Sequence, residues 1–149
     1  MKIEQILKTS SPLPSSKKIV VSILYSSGQL SNILNSILKP FDISLQQFNV
    51  LRILRGQQNK PVSLTIVQER MISKMSNTTR LIDKLIKKKL VIKNINSTNR
   101  RKIDISITNE GLEILEYVDQ LIDEAEKQIV NKLSEEEKEQ LIRLLGKIR

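Results

Sequence analysis

The chain has no cysteine, no histidine and no tryptophan. The first two absences remove disulfides, thiol redox chemistry, the usual zinc ligand sets and the commonest nucleophile and general base. Serine, lysine and carboxylates are the only groups left for catalysis. The four glycines, Gly28, Gly56, Gly111 and Gly146, are too dispersed to form a phosphate-cradling loop. No enzyme activity, cofactor or metal is therefore expected. Aromatic residues make up 3% of the sequence, limited to Tyr25, Phe41, Phe48 and Tyr117. That scarcity disfavours recognition by bases stacked on aromatic platforms and does less harm to duplex binding. No run approaches the ~20 apolar residues of a membrane span, and residues 1–16 lack the apolar core of a signal peptide, so a cytoplasmic protein without membrane contact is expected.

What is present is a chain of 149 residues, 39% hydrophobic, which suits one domain with a real core. Its charge is unevenly placed. The formal net charge is +9. Between Lys74 and Lys102 lie Lys74, Arg80, Lys84, Lys87, Lys88, Lys89, Lys93, Arg100, Arg101 and Lys102, against Asp83 alone. That window carries a net +9 by itself, and the rest of the chain balances 15 basic against 15 acidic residues. An excess charge confined to a fifth of the length is an electrostatic footprint for a polyanion.

Residues 1–16 read as a short arm, either a frayed end or a segment that packs on a partner subunit. From Lys17, apolar residues recur at three- and four-residue spacing through Leu38, predicting a long amphipathic helix that Pro40 ends. Ser44 and Gln47 form a capping box for a second helix closed by Gly56. A short helical segment follows around Leu64–Met71, then a turn, then a helix from about Ser76. On that helix Thr78, Leu81, Ile82 and Leu85 form a core stripe. Ser76, Asn77, Thr79, Arg80, Asp83, Lys84 and Lys87 lie towards the other side. Leu90–Ile92 and the alternating Ile103, Ile105 and Ile107 predict a two-stranded hairpin with a basic tip at NINSTNRR. Thr108 caps a long helix whose apolar face runs from Leu112 to Leu133, and Ser134 with Glu137 opens a last one. The helices at both ends carry surplus apolar surface, for which a dimer is the economical explanation.

Helix, turn, helix and basic hairpin in this order is the winged helix-turn-helix arrangement. The predicted fold class is mainly α with a small β-hairpin wing. A duplex major groove admits one helix, which reads base edges with the side chains of its exposed face. Ser76, Asn77, Thr79 and Arg80 supply short donors and acceptors and one guanidinium suited to guanine O6 and N7. Lys84 and Lys87 reach towards phosphates, Lys74 and the helix N-terminus suit a phosphate as well, and Arg100 and Arg101 suit the adjoining minor groove. Lys93 and Lys102 flank that tip.

MISKMSNTTRLIDKLIKKKLV followed by NRRKIDISITNEG resembles the signature of the MarR family of winged-helix transcriptional regulators, and the order of elements fits from Lys17 to Arg149. The resemblance implies a single chain with dimerisation helices at 1–40 and 109–149 and a DNA-binding lobe at 41–108. It implies a homodimer on palindromic double-stranded DNA, a ligand-responsive repressor with a small-molecule effector between lobes and dimer region, and recognition helices about one duplex turn, ~34 Å, apart. Ser76 to Arg80 match the reading end, Arg100 and Arg101 the wing tip, and Thr108 with Gly111 the start of the long helix. Lys89 stands where the family commonly has Gly. Asn99 replaces the Asp before Arg-Arg, with Asp104 as the available substitute, and Ile107 replaces Leu. The alternative is a non-specific nucleic-acid or anionic-surface binder acting through charge alone. A membrane-bound helix, however, needs large exposed apolar groups opposite its lysines, and here the core claims them.

Overall fold

Helices account for most of the structure, a computed structural model that describes residues 3–9, 11–58, 60–96, 98–99 and 103–148. Contacts divide the chain into two units, 1–45 and 46–149. Among the described residues no helix is long and apolar enough to cross a membrane.

The first unit holds α1 (Ile3–Ile6), α2 (Ser15–Leu38) and a 3₁₀ turn (Lys39–Phe41). α1 packs on α2, with Ile3 buried and Glu4 paired to Lys18 at 2.9 Å. Of the arm expected to fray or to pack on a partner subunit, Ile3–Ile6 forms one helical turn folded back on its own chain. Pro40 stops α2 as the sequence predicts, and Asp42 turns the chain in the left-handed region at φ 54°. Asn35 secures the turn: its amide donates to the Ser31 carbonyl at 2.8 Å, and its Oδ1 accepts from the Leu45 N–H at 2.9 Å. The amphipathic pattern of α2 goes largely uncovered. Of its 24 residues only Leu38 is buried, while Ile19, Val20 and Leu24 are 52%, 56% and 67% exposed.

The second unit takes up nearly all of α3 (Leu45–Arg55), then β1 (Val62–Ser63), α4 (Leu64–Arg70), α5 (Thr78–Lys87), β2 (Val91–Ile95), β3 (Ile103–Ile107), α6 (Asn109–Ile129) and α7 (Glu135–Gly146). Leu51, Leu54, Val67, Ile82, Leu85 and Leu115 are among its fully buried side chains. Gly56 follows α3, yet the left-handed residue of that turn is Gln58, at φ 54°. The expected two-stranded hairpin gains a third member: the order is β1-β3-β2, antiparallel throughout, with Val62 opposite Ile105. β1 is only two residues long and leads directly into α4, whose N-cap Ser63 accepts from the Ile66 N–H. So short a strand carries no alternation that a sequence pattern could reveal.

Strand register grades the hairpin from core to solvent. Val91 pairs with Ile107 and Ile95 with Ile103, so all four side chains share one face. Val91 and Ile107 are buried at the inner end; Ile95 and Ile103 project at the outer end. On α6 the predicted stripe is covered only at its start, where Leu115, Val118 and Ile122 are buried and Ala125 and Ile129 are not. α7 opens with the predicted capping box between Ser134 and Glu137 and buries none of its residues.

Candidate nucleic-acid interface

The polar and apolar sides of α5 separate as the sequence predicts except at Leu81, which is only half-buried and lines the polar side's groove. Thr78, Ile82 and Leu85 are buried, and Asn77, Thr79, Arg80, Asp83, Lys84 and Lys87 are exposed. The helix begins at Thr78, with Asn77 as N-cap accepting from the Arg80 N–H at 3.1 Å, so Ser76 lies just ahead of it. Asn77 thus uses its oxygen on the helix and keeps its amide nitrogen to donate. Ser76, Asn77, Arg80, Leu81 and Lys84 line a shallow groove of ≈ 320 Å³ together with Gln46 of α3. Gln46 escaped the sequence reading because, thirty residues away, nothing marks it except a polar position on an amphipathic helix. Among the described residues the side chains of Arg80, Lys84 and Lys87 have no ion-pair or hydrogen-bond partner, which leaves their charge available to an outside anion. The Lys74 ammonium donates to the Glu69 carbonyl, tying the turn before α5 to the end of α4.

At its other end α5 closes with a double bond pattern, the Lys89 N–H to the Ile86 carbonyl at 2.9 Å and the Leu90 N–H to the Leu85 carbonyl at 3.0 Å. Lys89 sits in the left-handed region at φ 60°, the conformation for which glycine is favoured. From there the chain is bound directly to α6. The Thr108 N–H donates to the Leu90 carbonyl at 3.1 Å. The Thr108 hydroxyl donates to the Lys89 carbonyl at 2.7 Å and accepts from the Gly111 N–H at 3.1 Å. Gly111 permits this approach: a Cβ there would stand 2.4 Å from the Leu90 carbonyl oxygen and 2.7 Å from Ile107 Cγ1. α5 and α6 are thereby joined backbone to backbone.

Two ion pairs brace the same unit. Lys93 Nζ on β2 meets Asp83 Oδ1 on α5 at 2.5 Å. Lys93, read from sequence as flanking the wing tip, instead turns back and neutralises the one acid of the basic window. Arg55 at the end of α3 pairs with Asp119 of α6. In the wing, Asp104 accepts from the Asn96 amide at 2.8 Å, and Asn96 Oδ1 accepts from the N–H groups of Thr98 at 3.0 Å and Asn99 at 2.8 Å. Asp104 therefore acts on the turn through Asn96. Arg100, Arg101 and Lys102 lie outside the described residues.

A profile of the MarR family matches residues 43–103, the stretch from the start of α3 into β3. PecS of Dickeya dadantii, an HTH-type transcriptional regulator, is 30% identical over 118 residues, covering 77% of this chain and 70% of PecS. This chain belongs to the MarR family. It is a DNA-binding transcription regulator. Solved MarR-type structures share its fold. MepR of S. aureus in its DNA complex superimposes with a TM-score of 0.78 at 23% identity, covering 91% of this chain and 96% of MepR. BpsR of Bordetella bronchiseptica gives 0.81 at 20% identity, covering 93% and 97%. Within this fold Lys89 holds the left-handed position.

Proposed function

We propose that this MarR-family regulator binds a palindromic duplex as a homodimer, represses from that site, and responds to a small-molecule effector. The observation that carries the DNA-reading part is the exposed edge of α5. There Ser76, Asn77, Thr79 and Arg80 present donors and acceptors, and Arg80, Lys84 and Lys87 have no partner among the described residues. Arg80 reads guanine O6 and N7 in bidentate fashion, worth about 1 to 3 kcal/mol against a wrong base. Lys74, Lys84 and Lys87 hold phosphates and set register, and Arg100, Arg101 and Lys102 carry the wing into the flanking groove. The DNA complex of MepR supports a DNA partner. Regulation of BpsR's DNA binding by 6-hydroxynicotinic acid supports an effector, whose identity here is open to screening. The uncovered apolar rows of α2 and α7 support a dimer.

Selection of bound duplexes from a random library tests the reading. A palindrome with about 10 bp between half-site centres is expected, and its affinity should fall ~10³- to 10⁵-fold between 50 and 200 mM salt if ~6 to 10 phosphates are neutralised. Arg80→Ala should relax discrimination at one base pair per half-site, whereas Lys84→Ala should weaken selected and scrambled duplexes alike. Equal affinity of the native protein for both duplexes means charge-driven, non-specific binding and defeats the proposal.

A further inference from the structure

The turn between α4 and α5 carries the two most exposed large hydrophobic side chains among the described residues. Ile72 is 85% exposed and Met75 is 94% exposed, while Met71 at the start of the same turn is 2% exposed. The turn itself is bonded. The Met71 N–H donates to the Val67 carbonyl at 3.1 Å, the Ser76 N–H to the Ser73 carbonyl at 3.2 Å, and the Lys74 ammonium to the Glu69 carbonyl. Met75 is thus an apolar side chain left in water on a hydrogen-bonded turn, immediately before the Ser76 and Asn77 that line the groove with Arg80. Isolated exposed apolar residues are ordinary, but this one sits at the end of the helix that meets base edges.

The groups around Met75 are equipped for only part of the major-groove code. Hydroxyls, amides and a guanidinium distinguish donors from acceptors; the C5-methyl of thymine is neither, and only an apolar contact reads it. A thioether chain is unbranched and polarisable, so it adapts to a methyl that it covers. We infer that Met75 reads a thymine in each half-site by packing on its C5-methyl group. This rests on the duplex-reading function proposed above and adds a specificity residue that the polar and basic pattern of the sequence did not mark.

The test uses the full chain and the duplex recovered by selection. Each half-site thymine is replaced in turn by deoxyuridine, which deletes the methyl and nothing else. At one thymine the wild type should bind about fourfold more weakly per half-site, the value of one buried methyl, and about fifteenfold when both half-sites are changed. Met75→Ala should already lack that increment, so the same replacement changes its affinity less than twofold, while its affinity for scrambled duplex equals the wild type's. Met75 is almost wholly exposed, so the variant retains its fold, checked by its melting curve. Three results overturn the inference while leaving sequence-specific binding intact. They are deoxyuridine penalties equal in wild type and Met75→Ala at every thymine, a selected half-site without thymine, and a methyl penalty abolished by Ile72→Ser but not by Met75→Ala. Failure of the selection to enrich any site overturns the duplex-reading function and this inference together.

Discussion

Lys89 carries a conflict between backbone and side chain. Its φ of 60° is the position after a helix where a Cβ crowds the following carbonyl, at roughly 1 to 2 kcal/mol for a residue other than glycine. A cation at a helix C-terminus recovers about 0.3 to 1 kcal/mol through the macrodipole, and less where the residue is exposed. The backbone effect is the larger, so Lys89→Gly should stabilise the protein by about 1 kcal/mol. A urea melt reads this as a raised midpoint at constant slope; an unchanged or lowered midpoint refutes it. The departure from glycine was visible in the sequence, and so was the demand it places on the backbone. What was not visible is the neighbour that makes the site matter: the Lys89 carbonyl accepts from Thr108, nineteen residues on. Gly111 is similar. Its need for a bare Cα follows from the Leu90 carbonyl oxygen, which no local pattern places beside it.

The elements were legible wherever they are long and periodic. α2, α6 and α7, the polar and apolar sides of α5, and the hairpin all emerged from apolar spacing and caps. β1 did not, being two residues held only by pairing with β3. The bracing between elements was equally hidden. Arg55 and Asp119 are 64 residues apart, and each alone reads as a surface charge. Asp83 and Lys93 both lay in the basic window, but their pairing depends on β2 running back past α5. That pair yields a prediction. Asp83→Asn releases Lys93 and removes the single acid from the face proposed to meet phosphates. If the freed ammonium neutralises one more phosphate, the slope of log K against log salt should steepen by about 0.9. Titrations at four salt concentrations measure it. A slope equal to that of the wild type means that Lys93 stays out of reach of the duplex.

At the scale of the whole chain, the excess charge and the uncovered helical rows lie in different stretches of sequence. The basic window accounts for the net charge, and the terminal helices hold the uncovered apolar rows. The positions of charges and apolar residues in the sequence made this readable; the burial made it firm, because helices of 24 and 12 residues with one buried residue and none are not stable in water by propensity alone. Leu24→Glu places a charge in the α2 row at a side chain 67% exposed. Sedimentation should then show the mass fall from about twice 17.1 kDa towards that of one chain, with duplex affinity lost alongside. A variant that sediments like the wild type excludes this row from the dimer interface.

The clamp at Thr108 has a mechanical meaning. α6 has 21 residues, so at 1.5 Å each it is a rod roughly 30 Å long. Its near end is fastened to the close of α5 by two hydrogen bonds from one threonine, whose hydroxyl also caps α6 itself. Such a rod is a lever with α5, the helix proposed to read the duplex, fixed to its near end. A tilt of about 5° about the far end sweeps the near end through roughly 3 Å. That displacement equals the full length of a hydrogen bond to a base edge. If α5 reads the duplex as proposed, a disturbance of a few degrees, far from any nucleotide, suffices to take it out of register.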